Sequence, residues 1–202
     1  MFFLSLALLG QSVTLDADTG KAARQCLPAF LLAARSKDPG VLRGLSHQLY
    51  LGMTAAAAES PTDNVVDRSI QIMREANDPA RSRPEDNAGL IPACDARFPL
   101  ARATAPAPLP ADPDERDILC TGVTTLLAGA AGALARYGDS SFEKEISQVL
   151  ARLTPRFEAI RKARNVADTP DARHALTSGA FRASLERGNL EAIYQSCKKL
   201  PA

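Results

Sequence analysis

From Ile118 to Ala135 the chain carries eighteen consecutive residues without a charge. Wound as a helix, such a run extends about 27 Å, which only just reaches across the hydrocarbon of a bilayer. Its composition decides between the two environments. Thr121, Thr124 and Thr125 interrupt the apolar character, while Gly122, Gly129 and Gly132 let neighbouring helices approach closely. We therefore expect a central helix buried on nearly every side rather than a membrane span. Asp112-Pro113-Asp114-Glu115 starts it, because acidic residues favour the positive end of the helix dipole and proline suits the first turn.

A helix of this kind needs helical neighbours, and the composition supplies them. The 202 residues include 36 alanines, no tryptophan and ten aromatic side chains, a poor stock for a sheet and a good one for packed helices. Basic and acidic residues, 24 against 23, almost cancel. That balance speaks against a disordered polyelectrolyte tail and against a protein that coats nucleic acid with positive field.

Three- and four-residue spacing recurs along the chain. It places Ala22, Cys26, Ala29, Phe30 and Ala33 on one face of a first helix, in which Pro28 marks a kink or a start. After the turn Asp38-Pro39-Gly40, Leu42, Leu45, Leu49 and Met53 form a second stripe that ends near Ser60-Pro61. Val66, Ile70, Met73 and Ala76 form a third, over residues 63–77. A charged, proline-punctuated loop spans 78–87, and a short helix or turn near 90–96 carries Cys94. Prolines 99, 106, 108, 110 and 113 then predict an extended connector over 99–113 that crosses the surface of one domain. Ser140 to Glu143 reads as a capping box opening a helix with Phe142, Ile146, Val149, Leu153, Phe157 and Ile160 inward, bent at Pro155. Two last helices, 169–187 and 190–200, follow, the second with Leu190, Ile193, Tyr194 and Cys197 inward. The expected fold is all-α, an irregular bundle of about seven helices in a single domain over 13–202.

Residues 1–12 stand apart. The uncharged run Met1 to Gly10 resembles the apolar region of a secretory signal, although no basic residue precedes it. Export would also explain the cysteines. Cys26, Cys94, Cys120 and Cys197 are even in number and widely spaced, with none of the short spacings that zinc, haem or thioredoxin-type redox sites require. They read as two structural disulfides of a periplasmic or secreted protein. Of the three possible pairings we expect Cys94 with Cys120, closing the proline-rich connector, and Cys26 with Cys197, tying the first helix to the last. Cys26 with Cys120 is the main alternative.

Candidate chemistry is sparse. Ser141 to Lys144 matches the S-x-x-K pattern of serine acylases, yet its partner motifs are absent and Ser196 to Lys199 repeats the match at the C-terminus. His47 and His174 are the only histidines, and no G-x-S-x-G elbow accompanies them. Arg152, Arg156, Arg161, Lys162 and Arg164 read as a solvated basic face at the negative end of a helix dipole, with an anionic partner as the alternative. Asp95-Ala96-Arg97, next to Cys94, reads as an ion-paired turn rigid enough to present binding residues. No cofactor or metal motif is present. The sequence thus points to an exported, non-enzymatic module that binds a protein or a small ligand, with no nucleic-acid partner and no membrane span once the signal is removed. A small hydrolase using His47 or His174 as general base is the alternative, and a cytosolic helical regulator a third.

Overall fold

A computed structural model describes residues 14–35, 41–60, 64–76, 88–135 and 141–201. The apolar N-terminal run, the turn at 38–40, the loop at 78–87 and Ser140 lie outside these residues, as do the side chains of Ala33, Leu42 and Ser141. Eight α-helices and no strand occur among the described residues. They are α1 (Thr19–Arg35), α2 (Val41–Glu59), α3 (Val65–Ala76), α4 (Ile91–Arg97), α5 (Pro113–Ala135), α6 (Ser141–Ala163), α7 (Pro170–Ser184) and α8 (Leu190–Cys197). Short 3-10 turns at Ala88–Leu90 and Pro99–Arg102 flank α4. The protein is all-α, as its composition predicts, and no described helix is long and apolar enough to cross a membrane.

The helices start where the sequence provides acceptors for their free amides. Asp18 Oδ1 accepts from Lys21 N at 2.9 Å, Asn64 Oδ1 from Val66 N at 3.0 Å, Asp112 Oδ1 from Glu115 N at 2.9 Å, and Asn189 Oδ1 from Ala192 N at 3.0 Å. Each such cap contributes about 1 kcal/mol. Helix α6 ends on Asn165, which takes the left-handed conformation at φ 54°, and Val166 N closes the turn on Arg161 O at 3.0 Å. Helix α1 begins at Thr19 and continues through Pro28, so that proline starts no helix.

Packing follows the predicted stripes, with Leu45 and Phe142 only half-buried and one larger shift in α3. Ile146, Val149, Leu153, Phe157 and Ile160 of α6 and the whole stripe of α8 are buried. In α3 the buried residues are Val65, Val66, Ser69 and Ile72, whereas Ile70, Met73 and Ala76 are half-buried. The cause is Gly52 on α2, where an added Cβ would lie 3.2 Å from both Ser69 Cβ and Met73 Cγ. Ser69 and Met73 therefore both close on α2 at this glycine, and with Ser69 turned inward Ile70 lies to the side, half-buried. Helix α1 packs on α2 and α2 on α3, while α5 packs on α6, α7 and α8; contacts of α2 with α8 and of α3 with α7 join the two groups into one continuous core.

The cysteines form two disulfides, but not in the expected pairing. Cys26 of α1 bonds Cys94 of α4, and Cys120 of α5 bonds Cys197 of α8. Helical spacing puts Cys26 and Cys197 on inward faces, and all four cysteines are buried. What it could not specify is which inward faces meet. Helix α4 lies against α1 and α8 against α5, so each bond stays within its own group of helices. The connector is consequently not closed by a disulfide. Its first residues, Pro99–Arg102, wind into a 3-10 turn instead of extending as expected; from there it carries no helix until α5, and polar contacts hold it: Ala107 N donates to Ala192 O at 2.9 Å and Ser196 Oγ donates to Ala107 O at 2.6 Å.

Candidate functional site

Helix α5 is buried continuously from Asp117 to Thr124, then opens on one side at Thr125 and Gly129. Gly122, Thr125 and Gly129 follow one another at three- and four-residue steps, so a shallow trough runs along one face of the helix. At its inner end the trough is closed, since a Cβ on Gly122 would lie 3.2 Å from the Phe181 ring and from Thr177 Cβ. At Gly129 it is open, with nothing within 4 Å of the same added atom. Larger side chains from α3, α6 and α7 wall it in: Val66 and Ile70, Phe157, and Phe181 respectively, with Leu126 of α5 itself. The result is a cavity of about 490 Å³, within the range of small-molecule sites.

Polar groups are few and mostly committed. Thr154 Oγ1 donates to Leu150 O at 2.8 Å and Thr177 Oγ1 to His174 O at 3.0 Å. Thr121 is different, because it is buried and its Oγ1 has no hydrogen-bond partner. At the rim, the Asn64 oxygen is fixed by capping α3, which turns its amide nitrogen toward His174 Nε2 at 2.8 Å and Asp67 Oδ2 at 2.9 Å. That nitrogen is a donor, so Nε2 accepts and the neutral ring carries its proton on Nδ1. Arg173 at the same rim pairs with Glu158 at 2.7 Å and Asp168 at 2.6 Å, and the pairing holds the Asp168 carboxyl below its ordinary range.

The second histidine has another character. His47 is buried on α2, its Nε2 unpartnered, its ring edge-on to Phe30 at 6.3 Å between centroids. Arg102 lies over the opposite partner of that contact, 5.6 Å from the Phe30 centroid. Desolvation, with Arg102 second, lowers the His47 pKa to about 4. Neither ring is hydrogen-bonded to a serine or a carboxylate among the described residues. A folded-state pKa near 4 against 6.5 in the unfolded chain fixes the sign of a pH effect. Below pH 6.5 the unfolded chain binds a proton that the fold refuses, so stability falls until pH 4 and is level below it. The expected loss is about 3 kcal/mol. It is to be measured as the difference between wild type and His47→Leu in urea unfolding from pH 7 to 4; parallel curves for the two would contradict it.

The remaining candidates serve the fold. Arg152 donates to the carbonyls of Leu200 and Lys198 at 3.1 and 3.0 Å, and Arg156 to that of Pro201 at 2.8 Å, so both hold the C-terminal segment. Arg161 is buried between Glu158 and the Val166 carbonyl, and Arg164 pairs with Glu115 at 3.0 Å. Of the basic face predicted there, Lys162 and Arg164 are exposed, Arg152 and Arg156 half-buried, and Arg161 alone is buried. Asp95 pairs with Arg102 at 2.9 Å, and Arg97 reaches Ala17 O and Thr19 Oγ1 at the start of α1. Ser196 is occupied by the connector, as described. The cavity itself escaped the sequence: the small residues of α5 signal close packing and a trough equally well, and no spacing links α3 to residues more than fifty positions away. No family model, curated protein or solved structure matches the chain.

Proposed function

We propose that this chain is an exported module that binds a small, largely apolar ligand in the cavity between α3, α5, α6 and α7. The observation that carries the proposal is the cavity: a solvent-open space of about 490 Å³ with mainly apolar walls, set against the helical core. Two disulfides and the apolar N-terminal run support a place outside the reducing cytoplasm. A hydrolase would need a histidine poised on a nucleophile or an acid, and neither the unpartnered Nε2 of His47 nor the His174–Asn64 contact favours such an arrangement.

Gly129 makes the test clean, because a side chain there enters open space. Gly129→Phe is expected to leave the fold as stable as before or better by about 0.5 kcal/mol, since glycine is a poor helix former. The same ring blocks the trough. Binding of the neutral fluorophore N-phenyl-1-naphthylamine should weaken at least tenfold in the variant; unchanged binding would mean that the probe, and hence the ligand, sits elsewhere.

A further inference from the structure

Taking the cavity as the binding site, we propose that its ligand is an uncharged amphiphile, an apolar body with one hydroxyl or carbonyl group that hydrogen-bonds the Thr121 hydroxyl. Thr121 is 8% exposed and its Oγ1 lacks a partner, whereas buried hydroxyls are ordinarily satisfied. Of the other threonines on the wall, Thr154 and Thr177 donate hydrogen bonds to backbone carbonyls, and Thr125 is exposed to water. Threonine in a helix has two accessible χ1 wells, so the Thr121 hydroxyl can turn to meet a guest at little cost. It then gains a hydrogen bond that it does not make as it stands.

Charge at the mouth argues against an ionic head group. Arg173 is closed into a ring with Glu158, Asp168 and Arg161, whose own contacts to Glu158 and Asp168 are 2.9 and 3.6 Å. Two cations and two carboxylates cancel, leaving nothing at that corner to receive a carboxylate or a phosphate. Asp67 remains, tethered to Asn64, and repels an anion further. An ammonium group could meet Asp67 only at the exposed rim, where water screens the attraction, and carrying it down to Thr121 would strip its hydration.

Displacement of N-phenyl-1-naphthylamine by 1-octanol, octane, octanoate and octylammonium tests this. Octanol should compete at least tenfold better than octanoate or octylammonium. Thr121→Val should weaken octanol about tenfold and leave octane unchanged, while Thr121→Ser, which keeps the hydroxyl, should retain octanol binding. Thermal melts of both variants should match wild type, because no hydrogen bond of the fold is lost. Equal competition by octanoate or octylammonium, or octanol binding indifferent to Thr121→Val, overturns the head-group assignment while leaving the cavity as the site. If no member of the series displaces the probe and Gly129→Phe does not affect it, the cavity is not the site and this proposal falls with it.

Discussion

Removing the Cys120–Cys197 bond by the double change Cys120→Ala/Cys197→Ala is expected to lower the unfolding free energy by about 4 kcal/mol. The bond closes a sequence separation of 77, and Cys26–Cys94 one of 68. Loop entropy grows only with the logarithm of length, so the two are of nearly equal worth. They also enclose separate stretches of chain. Neither shortens the loop that the other closes, and their contributions should add. Opening both then removes about 8 kcal/mol, comparable to the whole stability of an ordinary domain. Urea titrations of wild type with and without dithiothreitol, and of each cysteine pair variant, measure this. The reduced protein should be largely unfolded at 37 °C, and a midpoint insensitive to reductant would contradict the account.

Asn189→Ala should be nearly as damaging, at about 4 kcal/mol and a melting temperature about 10 °C lower. The side chain is fully buried. Its nitrogen donates to the carbonyls of Leu100, Ala101 and Ala103 at 3.1, 3.2 and 2.8 Å; its oxygen caps α8 and accepts from Ser46 Oγ at 3.0 Å. Ser46 in turn accepts from Glu191 N at 2.7 Å. One amide thus joins α2, the end of the Pro99–Arg102 turn and α8. Truncating it deprives three carbonyls, that of Ala101 buried and those of Leu100 and Ala103 half-buried, and the Ser46 hydroxyl of this partner, and leaves a helix uncapped. Asn189→Asp should cost at least as much, since a carboxylate would face those carbonyls. Ser46→Ala should cost about 1–2 kcal/mol, and less when added to Asn189→Ala, because both act on one network. A loss below 1 kcal/mol for Asn189→Ala in urea unfolding would refute the network's importance.

Much of the architecture was legible because helical periodicity is a local property. The stripes of α6 and α8, the start of α5 at Asp112 and the extended connector are all decided by residues within a few positions of one another. What depends on distant pairs was not. The face of α3 turned because Gly52 admits Ser69; the cysteines paired by which helices neighbour each other; the arginines of α6 found carbonyls about 45 positions further on. Asn189, seen in sequence only as a break between two helices, owes its importance to Ser46 and Leu100 to Ala103. Of the candidate site, His174 was visible as a residue but its partner Asn64, 110 positions away, was not.

The crosslinks make this polypeptide two covalent rings on one string, the string being the stretch from Asp95 to Leu119. Arg102, exposed along it, is a residue after which a trypsin-like nick would sever it, leaving two pieces that share no bond. Adhesion between them would then rest on α2 against α8, α3 against α7, and ties such as Arg43 to Glu191 at 3.0 Å. The cavity lies on that seam, with Val66, Asp67 and Ile70 from the first ring and its other walls from the second. A guest molecule lodged there touches both, and so acts as mortar between them.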